Sequence, residues 1–255
     1  MYKPRLIPVL LLQNQGLVKS VQFKNHRYIG DPINAVKIFN DLGADELTFL
    51  DIDATKLRKK IDLNIIKNIS EEANMPFSYG GGINTLSQIE EILKSGVERV
   101  ILGTIAATNP SFVEEASKSF GASSISVCID VKKTLFGKEK VYVKNGATKT
   151  DFSPLEFSKI MEDKGVGELI IQSVDKDGTK SGYHLELMKE ISTAVNIPMV
   201  ALGGSKDFND IKSLHQQTVI NGFGAGSMFV YHGNRDGILI NYPSKEVKKS
   251  LWIKI

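Results

Sequence analysis

The chain has 255 residues, 42% hydrophobic and 24% charged, the balance of a globular protein able to bury about 75% of its unfolded surface. Thirty-two basic residues against twenty-nine acidic ones leave a net charge of +3, too small an excess to argue for nucleic acid. A single cysteine, Cys128, excludes a disulfide framework and a cysteine zinc cage. The four histidines show no metal-ligand spacing, and no apolar run reaches the ~18 residues that span a bilayer.

The chain opens on an apolar run at 6–12, too short for a signal peptide and without a small-residue cleavage site. We therefore expect a cytoplasmic protein that does not enter the membrane. Further strand-like runs follow at 47–51, 76–79, 99–102, 124–130, 168–172, 198–202 and, most weakly patterned, 218–223. Amphipathic helices lie between them. Ile65, Ile66, Ile69 and Ala73 share one face, as do Leu86, Ile89, Ile92 and Leu93, and again Leu185, Met188, Ile191 and Val195. Two stretches break the alternation. Residues 13–30 and 131–150 carry alternating β-like residues around glycine, including Val141-Tyr142-Val143 before Asn145-Gly146, and predict hairpin-like loops after the first and fifth strands. Eight β/α pairs without a dividing linker predict one α/β domain over 1–255, a (β/α)₈ barrel, with a doubly wound sheet as the alternative.

The halves resemble each other, which favours the barrel. ELTFLDID at 46–53 matches ELIIQSVD at 168–175, and PFSYGGG at 76–82 matches PMVALGG at 198–204, both at an offset of 122 residues. Gly103-Thr104 then matches Gly226-Ser227. A (β/α)₄ unit used twice explains this order. It also sets glycine turns on both sides of the barrel mouth: Gly80, Gly81, Gly82, Gly103 and Thr104 on one, Asp177-Gly178-Thr179, Gly203, Gly204, Gly226 and Ser227 on the other. Such turns let backbone N–H groups approach an anion. The symmetry suits a small molecule with a phosphate at each end.

FLDID (49–53), PFSYGGGI (76–83), ILGTIAATNP (101–110), CIDVKK (128–133) and DKDGTKSGY (175–183), in this order, resemble the cyclase subunit of imidazole glycerol phosphate synthase over roughly residues 4–230. The resemblance implies a twofold-repeated barrel that takes ammonia from a glutaminase partner to cleave and cyclise a bisphosphorylated ribonucleotide. It implies phosphate contacts at Gly82, Gly103 and Thr104 and at Asp177, Gly178, Gly204, Gly226 and Ser227, with Gly103 standing where the family usually has asparagine. Lys19 falls on the family's substrate-binding lysine. No metal or redox cofactor is implied.

The family works with two aspartates, one ending the first strand and one the fifth, as general acid and base. Asp130 keeps the second. The first is absent: the repeat aligns Val9-Leu10-Leu11 with Cys128-Ile129-Asp130, so Leu11 stands opposite Asp130. A leucine cannot move a proton, and Gln13 and Asp51 are not evident substitutes. At the other end of the strands, Arg5, Glu46, Arg99 and Glu168 match the family's charged barrel floor, through which ammonia enters. This pairing of a kept floor and a lost acid resembles an accessory branch of the family associated with surface-polysaccharide synthesis. IPVLLLQNQGLVKSVQFKN, CIDVKKTLFGKEKVYVKNG and the AGSMFVYHG…ILINYPS tail, which departs from the cyclase's last helix at Pro243-Ser244, carry that likeness. That branch implies a glutaminase partner and a separate sugar amidotransferase that receives the ammonia. A genuine cyclase and a non-catalytic phosphate-binding barrel are the competing readings.

Overall fold

The computed structural model describes residues 4–57, 59–233 and 235–253. Eight strands pair in parallel around a closed ring: β1 (Arg5–Gln13), β2 (Leu47–Asp51), β3 (Phe77–Gly80), β4 (Arg99–Leu102), β5 (Ile125–Lys133), β6 (Glu168–Ser173), β7 (Met199–Leu202) and β8 (Gly222–Ala225). Closure is made by β8 against β1, with Arg5 opposite Gly222 and Pro8 opposite Ala225. Helices pack outside the ring, so the molecule is a (β/α)₈ barrel and not an open sheet.

The eighth strand begins later than the apolar pattern at 218–223 suggests. Thr218 Oγ1 donates to the Leu214 carbonyl at 2.7 Å and accepts from Ile220 N–H at 3.4 Å, so a hydroxyl-closed turn occupies the first part of that run. The third strand is likewise shifted by one residue, since Pro76 carries no N–H to donate to the ladder. Helix starts are fixed by side chains. Asp62 caps Leu63–Glu72, and Thr85 with Gln88 and Ser153 with Glu156 form reciprocal capping boxes on Leu86–Lys94 and Pro154–Asp163.

The hydrophobic core has two shells. Outward-facing residues such as Leu10, Phe49, Val127, Ile171 and Phe223 pack against the helices. A smaller inner cluster of Ile7, Val9, Ile101, Ile170, Val200 and Leu202 fills the barrel axis. This division follows from strand alternation, which sends neighbouring side chains to opposite faces.

Both irregular loops are hairpins. Residues Gly16–Val21 turn back on β1 and pair with Lys24–Gly30, while Glu139–Val143 turns back on β5. The Asn145-Gly146 turn works through positive φ at Lys144, Asn145 and Gly146.

At the opposite end the tail returns to the barrel. Tyr242 is buried edge-on against Phe39, its hydroxyl donates to the Leu6 carbonyl at 2.9 Å, and it accepts from Asp45 N–H at 2.9 Å. Removing that hydroxyl takes one partner from a buried carbonyl of β1 and from a partly buried amide before β2. Tyr242→Phe is expected to lower stability by about 1–3 kcal/mol, read as a shifted urea midpoint with an unchanged slope.

Candidate active site

The C-terminal ends of the strands enclose one large cavity among the described residues. The expected residues from the two half-barrels meet there. Gly82, Gly103 and Thr104 line one side, with Asp177, Gly178, Gly204, Gly226 and Ser227 on the other, and Leu11, Lys19 and Asp130 between them. The register reproduces the internal repeat. Leu11 pairs with Leu50, Asp130 pairs with Gln172, and Leu50 and Gln172 are themselves repeat mates. Leu11 and Asp130 are therefore equivalent positions on opposite sides of the barrel axis. Each is followed by a hairpin, with Leu11 opposite Val18 in one and Asp130 opposite Tyr142 in the other.

Glycines at the rim are set by close backbone approach. Gly178 (φ +69°) lies against the Ser20 carbonyl and Gly204 (φ +100°) against the Gly182 carbonyl, so a side chain at either position would collide with backbone. Thr104 and Ser227 each open a short helix, whose first N–H groups have no intrahelical acceptor. Thr104 Oγ1 accepts from Lys144 N–H at 3.0 Å, which anchors the root of the second hairpin at the cavity edge.

Charge in the cavity is sparse and buried. Lys19 reaches down from the first hairpin, its ammonium donating to the Val9 carbonyl of β1. Burial lowers its pKa to about 8, while Asp177 favours the charged form. Asp177 accepts from Ser20 Oγ at 3.2 Å and Gln172 Nε2 at 3.3 Å, and burial nonetheless raises its pKa. Asp130 is pushed up to about 7, chiefly by burial and further by the Asp177 charge, against a weak hydrogen bond from Cys128 Sγ at 3.8 Å. The Cys128 thiol is raised in turn by burial and by Asp130. Asp51 also lines the cavity, but its Oδ1 accepts the N–H groups of Asp53 and Ala54 at 2.9 and 3.0 Å and so closes the loop after β2. Gln13 donates to Asp53 at 3.1 Å. Asp130 is thus a buried carboxyl with a raised pKa, and a leucine stands at its repeat-related position.

Sequence reasoning missed Gln172, Asn145, His26 and Ser205 in the cavity wall. Gln172 was within reach of it, because its repeat mate Leu50 ends a strand beside Leu11. Asn145 and Ser205 lie in loops, where nothing periodic fixes direction, and His26 lies on the outer strand of the first hairpin.

At the floor, Arg5 pairs with Glu46 at 2.6 Å and with Glu168, and Arg99 lies 3.5 Å from Glu46 and 3.4 Å from Glu168. Each arginine bridges both carboxylates, and Ser78 Oγ adds a hydrogen bond to Glu46 at 3.2 Å. A small cavity with room for one water-sized molecule sits directly above, lined by Ile7, Thr48, Leu50, Ser78, Ile170 and Val200. It shares Val9, Leu50 and Leu202 with the large cavity. Three levels therefore stack along the axis: a charged ring, a narrow chamber and the open site.

A twofold barrel with its cavity at the strand C-termini defines the class to which the chain belongs. Residues 5–236 match the family described as "Histidine biosynthesis protein". The chain is 46% identical, over 99% of its length and 100% of the relative's, to a Leptospira interrogans protein provisionally named imidazole glycerol phosphate synthase subunit HisF. It is 45% identical to a Vibrio vulnificus protein provisionally named subunit hisF3 of that synthase, over 98% of this chain and 96% of the relative. It is 37% identical to the imidazole glycerol phosphate synthase subunit HisF of Alkaliphilus metalliredigens, over 91% and 92% of the two chains. The chain belongs to the histidine-biosynthesis family and, within it, to the HisF-like imidazole glycerol phosphate synthase cyclases.

The Asp130 environment gives a test that needs no substrate. An unfolded aspartate titrates near ~3.9. Between there and about 7 the folded protein holds the proton that the unfolded chain has released, so this group makes stability fall as pH rises across that window. Asp130→Asn removes the slope. The variant should gain stability over the parent at about pH 8 and lose that advantage near about pH 4, measured by urea denaturation at each pH. A gain independent of pH would show that the carboxyl titrates normally.

Proposed function

We propose that this chain is a non-cyclising member of its family that docks a glutaminase at the barrel floor and conducts ammonia to a separate sugar amidotransferase. The carrying observation is that Leu11 and Asp130 occupy equivalent positions on opposite sides of the barrel, above a floor ring with all four charges present. Cyclisation needs a proton removed at one end of the substrate and delivered at the other. Asp130 alone can do one of these. Glu46 and Glu168 are each paired with both arginines, which offsets the cost of burying them and leaves the ring in place as an entry point.

In this reading, neutral ammonia enters as the Arg and Glu side chains part, occupies the chamber beneath Leu50, and leaves by the upper cavity. The chamber's size and its Thr48 and Ser78 hydroxyls suit a single small hydrogen-bonding molecule. The two glycine-rich rims would hold a phosphorylated small molecule between Gly82, Gly103 and Thr104 and the Gly178, Gly204, Gly226 and Ser227 side. Lys19 supplies positive charge at the centre. Acetamidino-sugar formation for surface polysaccharide is the destination assigned to the ammonia.

A genuine cyclase is the second reading, favoured by the Asp51 carboxylate in the cavity wall and by the HisF relatives. Incubating the purified chain with ammonium salt and the bisphosphorylated ribonucleotide separates the two. We expect turnover at least ~100-fold below that of an acid–base-complete cyclase, with Leu11→Asp raising it. Robust turnover by the unaltered chain would overturn the proposal. At the floor, Arg5→Ala should cut glutamine-driven product at least ~10-fold while leaving product from added ammonium salt unchanged. Equal loss from both nitrogen sources would mean that the ring serves stability alone.

A further inference from the structure

The face around the cavity mouth is apolar at its rim. Leu135 and Phe136, at the tip of the second hairpin, are fully exposed. Tyr28 on the first hairpin, Leu57 on the loop after β2, and Ile238 and Leu239 in the tail after β8 are also exposed. These six large side chains come from segments that follow β1, β2, β5 and β8, so they lie on the cavity side of the barrel, on two opposed arcs of it. Single exposed apolar residues are ordinary, but adjacent Leu and Phe at a hairpin tip have no role in this barrel's own packing.

The same hairpin is strongly basic. Residues 131–150 hold six lysines and one acidic residue, Glu139. That carboxylate is already taken by His184, whose Nε2 lies 2.6 Å from it. Lys132, Lys133 and Lys138 flank the apolar tip. The hairpin is rooted in the site itself, through Lys144 N–H on Thr104, the Asn145 side-chain amide on the Ile52 carbonyl at 2.7 Å, and Lys133 N–H on Asp175 at 2.8 Å.

We infer that this rim is the docking surface for the enzyme that consumes the ammonia, and that the matching face offers an apolar recess bordered by carboxylates. The inference rests on the conduit reading and names the partner's place in it. Charge selects the occupant. A second copy of this chain would set lysines against lysines. The glutaminase is assigned to the other end of the barrel. A membrane would meet apolar groups dispersed around an opening that has to stay connected to an acceptor site. A protein seated on the rim covers the mouth and excludes water from the transfer.

The test places a photo-crosslinking amino acid at position 136 of the full chain, in the cell that makes it, and identifies the adduct by mass spectrometry. The expected adduct is a nitrogen-accepting amidotransferase. Its purified form should bind the Leu135→Ser, Phe136→Ser double variant ~100-fold more weakly than the parent, because two central apolar anchors are lost. Glutamine-driven product should fall with binding, while product from ammonium salt persists. Crosslinks confined to lipid or to the chain itself, absence of any adduct, or unchanged binding by the double variant would overturn the docking surface. Docking that is intact in the parent but never accompanied by ammonia transfer would sink the conduit reading and leave the surface standing.

Discussion

Side chains on a strand alternate, and closing eight parallel strands into a ring turns that alternation into heights along an axis. Every inward position is thereby fixed at a level, and each level receives residues from strands distant in sequence. Here the levels carry different chemistry: charge at Arg5, Glu46, Arg99 and Glu168, small and aliphatic groups through Val9, Ile170 and Leu202, then Asp130 and the glycine rims. One residue of slip in any strand would mix them. The parallel register of β1 with β2 and of β5 with β6 is what allows Leu11 and Asp130 to be compared at all.

The interior balances two opposed electrostatic demands. At the floor, burial raises the Glu46 pKa, and Arg5, Arg99 and Ser78 oppose that tendency. Arg5 loses solvation as well, yet two carboxylates hold its proton more firmly than water would. At the cavity the compensation is incomplete. Asp130 has a thiol and a like-charged neighbour where the floor has arginines, so it remains responsive near neutral pH. Rigidity below and protonic lability above are therefore properties of one scaffold, set by how many opposite charges each level receives.

Much of this was legible in the residues. Hydrophobic period gave seven strands closely, and the internal repeat exposed both the barrel and the Leu11–Asp130 mismatch. Charged residues opening apolar runs marked the floor, since a charge at a strand start has few places to go but the barrel end. The eighth strand was misplaced because Thr218 can close a turn through its own hydroxyl, an option that apolar content does not reveal. The wall contributions of Asn145 and Ser205 were hidden for a related reason: loop side chains take their direction from tertiary contacts, such as the Asn145 bond to Ile52. Asp51 reads in sequence as a strand-end carboxylate that is no evident substitute for the missing acid, and the two amides whose hydrogen bonds it accepts show that one oxygen serves the backbone.

Tyr242 has an implication for how the chain is assembled during synthesis. Its hydroxyl satisfies backbone groups at Leu6 and Asp45, which leave the ribosome some two hundred residues before it does. β1 likewise waits for β8 to complete its second ladder. The first half of the molecule, though built on the same pattern as the second, emerges with an unpaired edge and without the Tyr242 hydroxyl that Leu6 and Asp45 later share. It stays incomplete until the tail emerges, so the nascent half-barrel presents an open strand edge to whatever shields such edges in the cell.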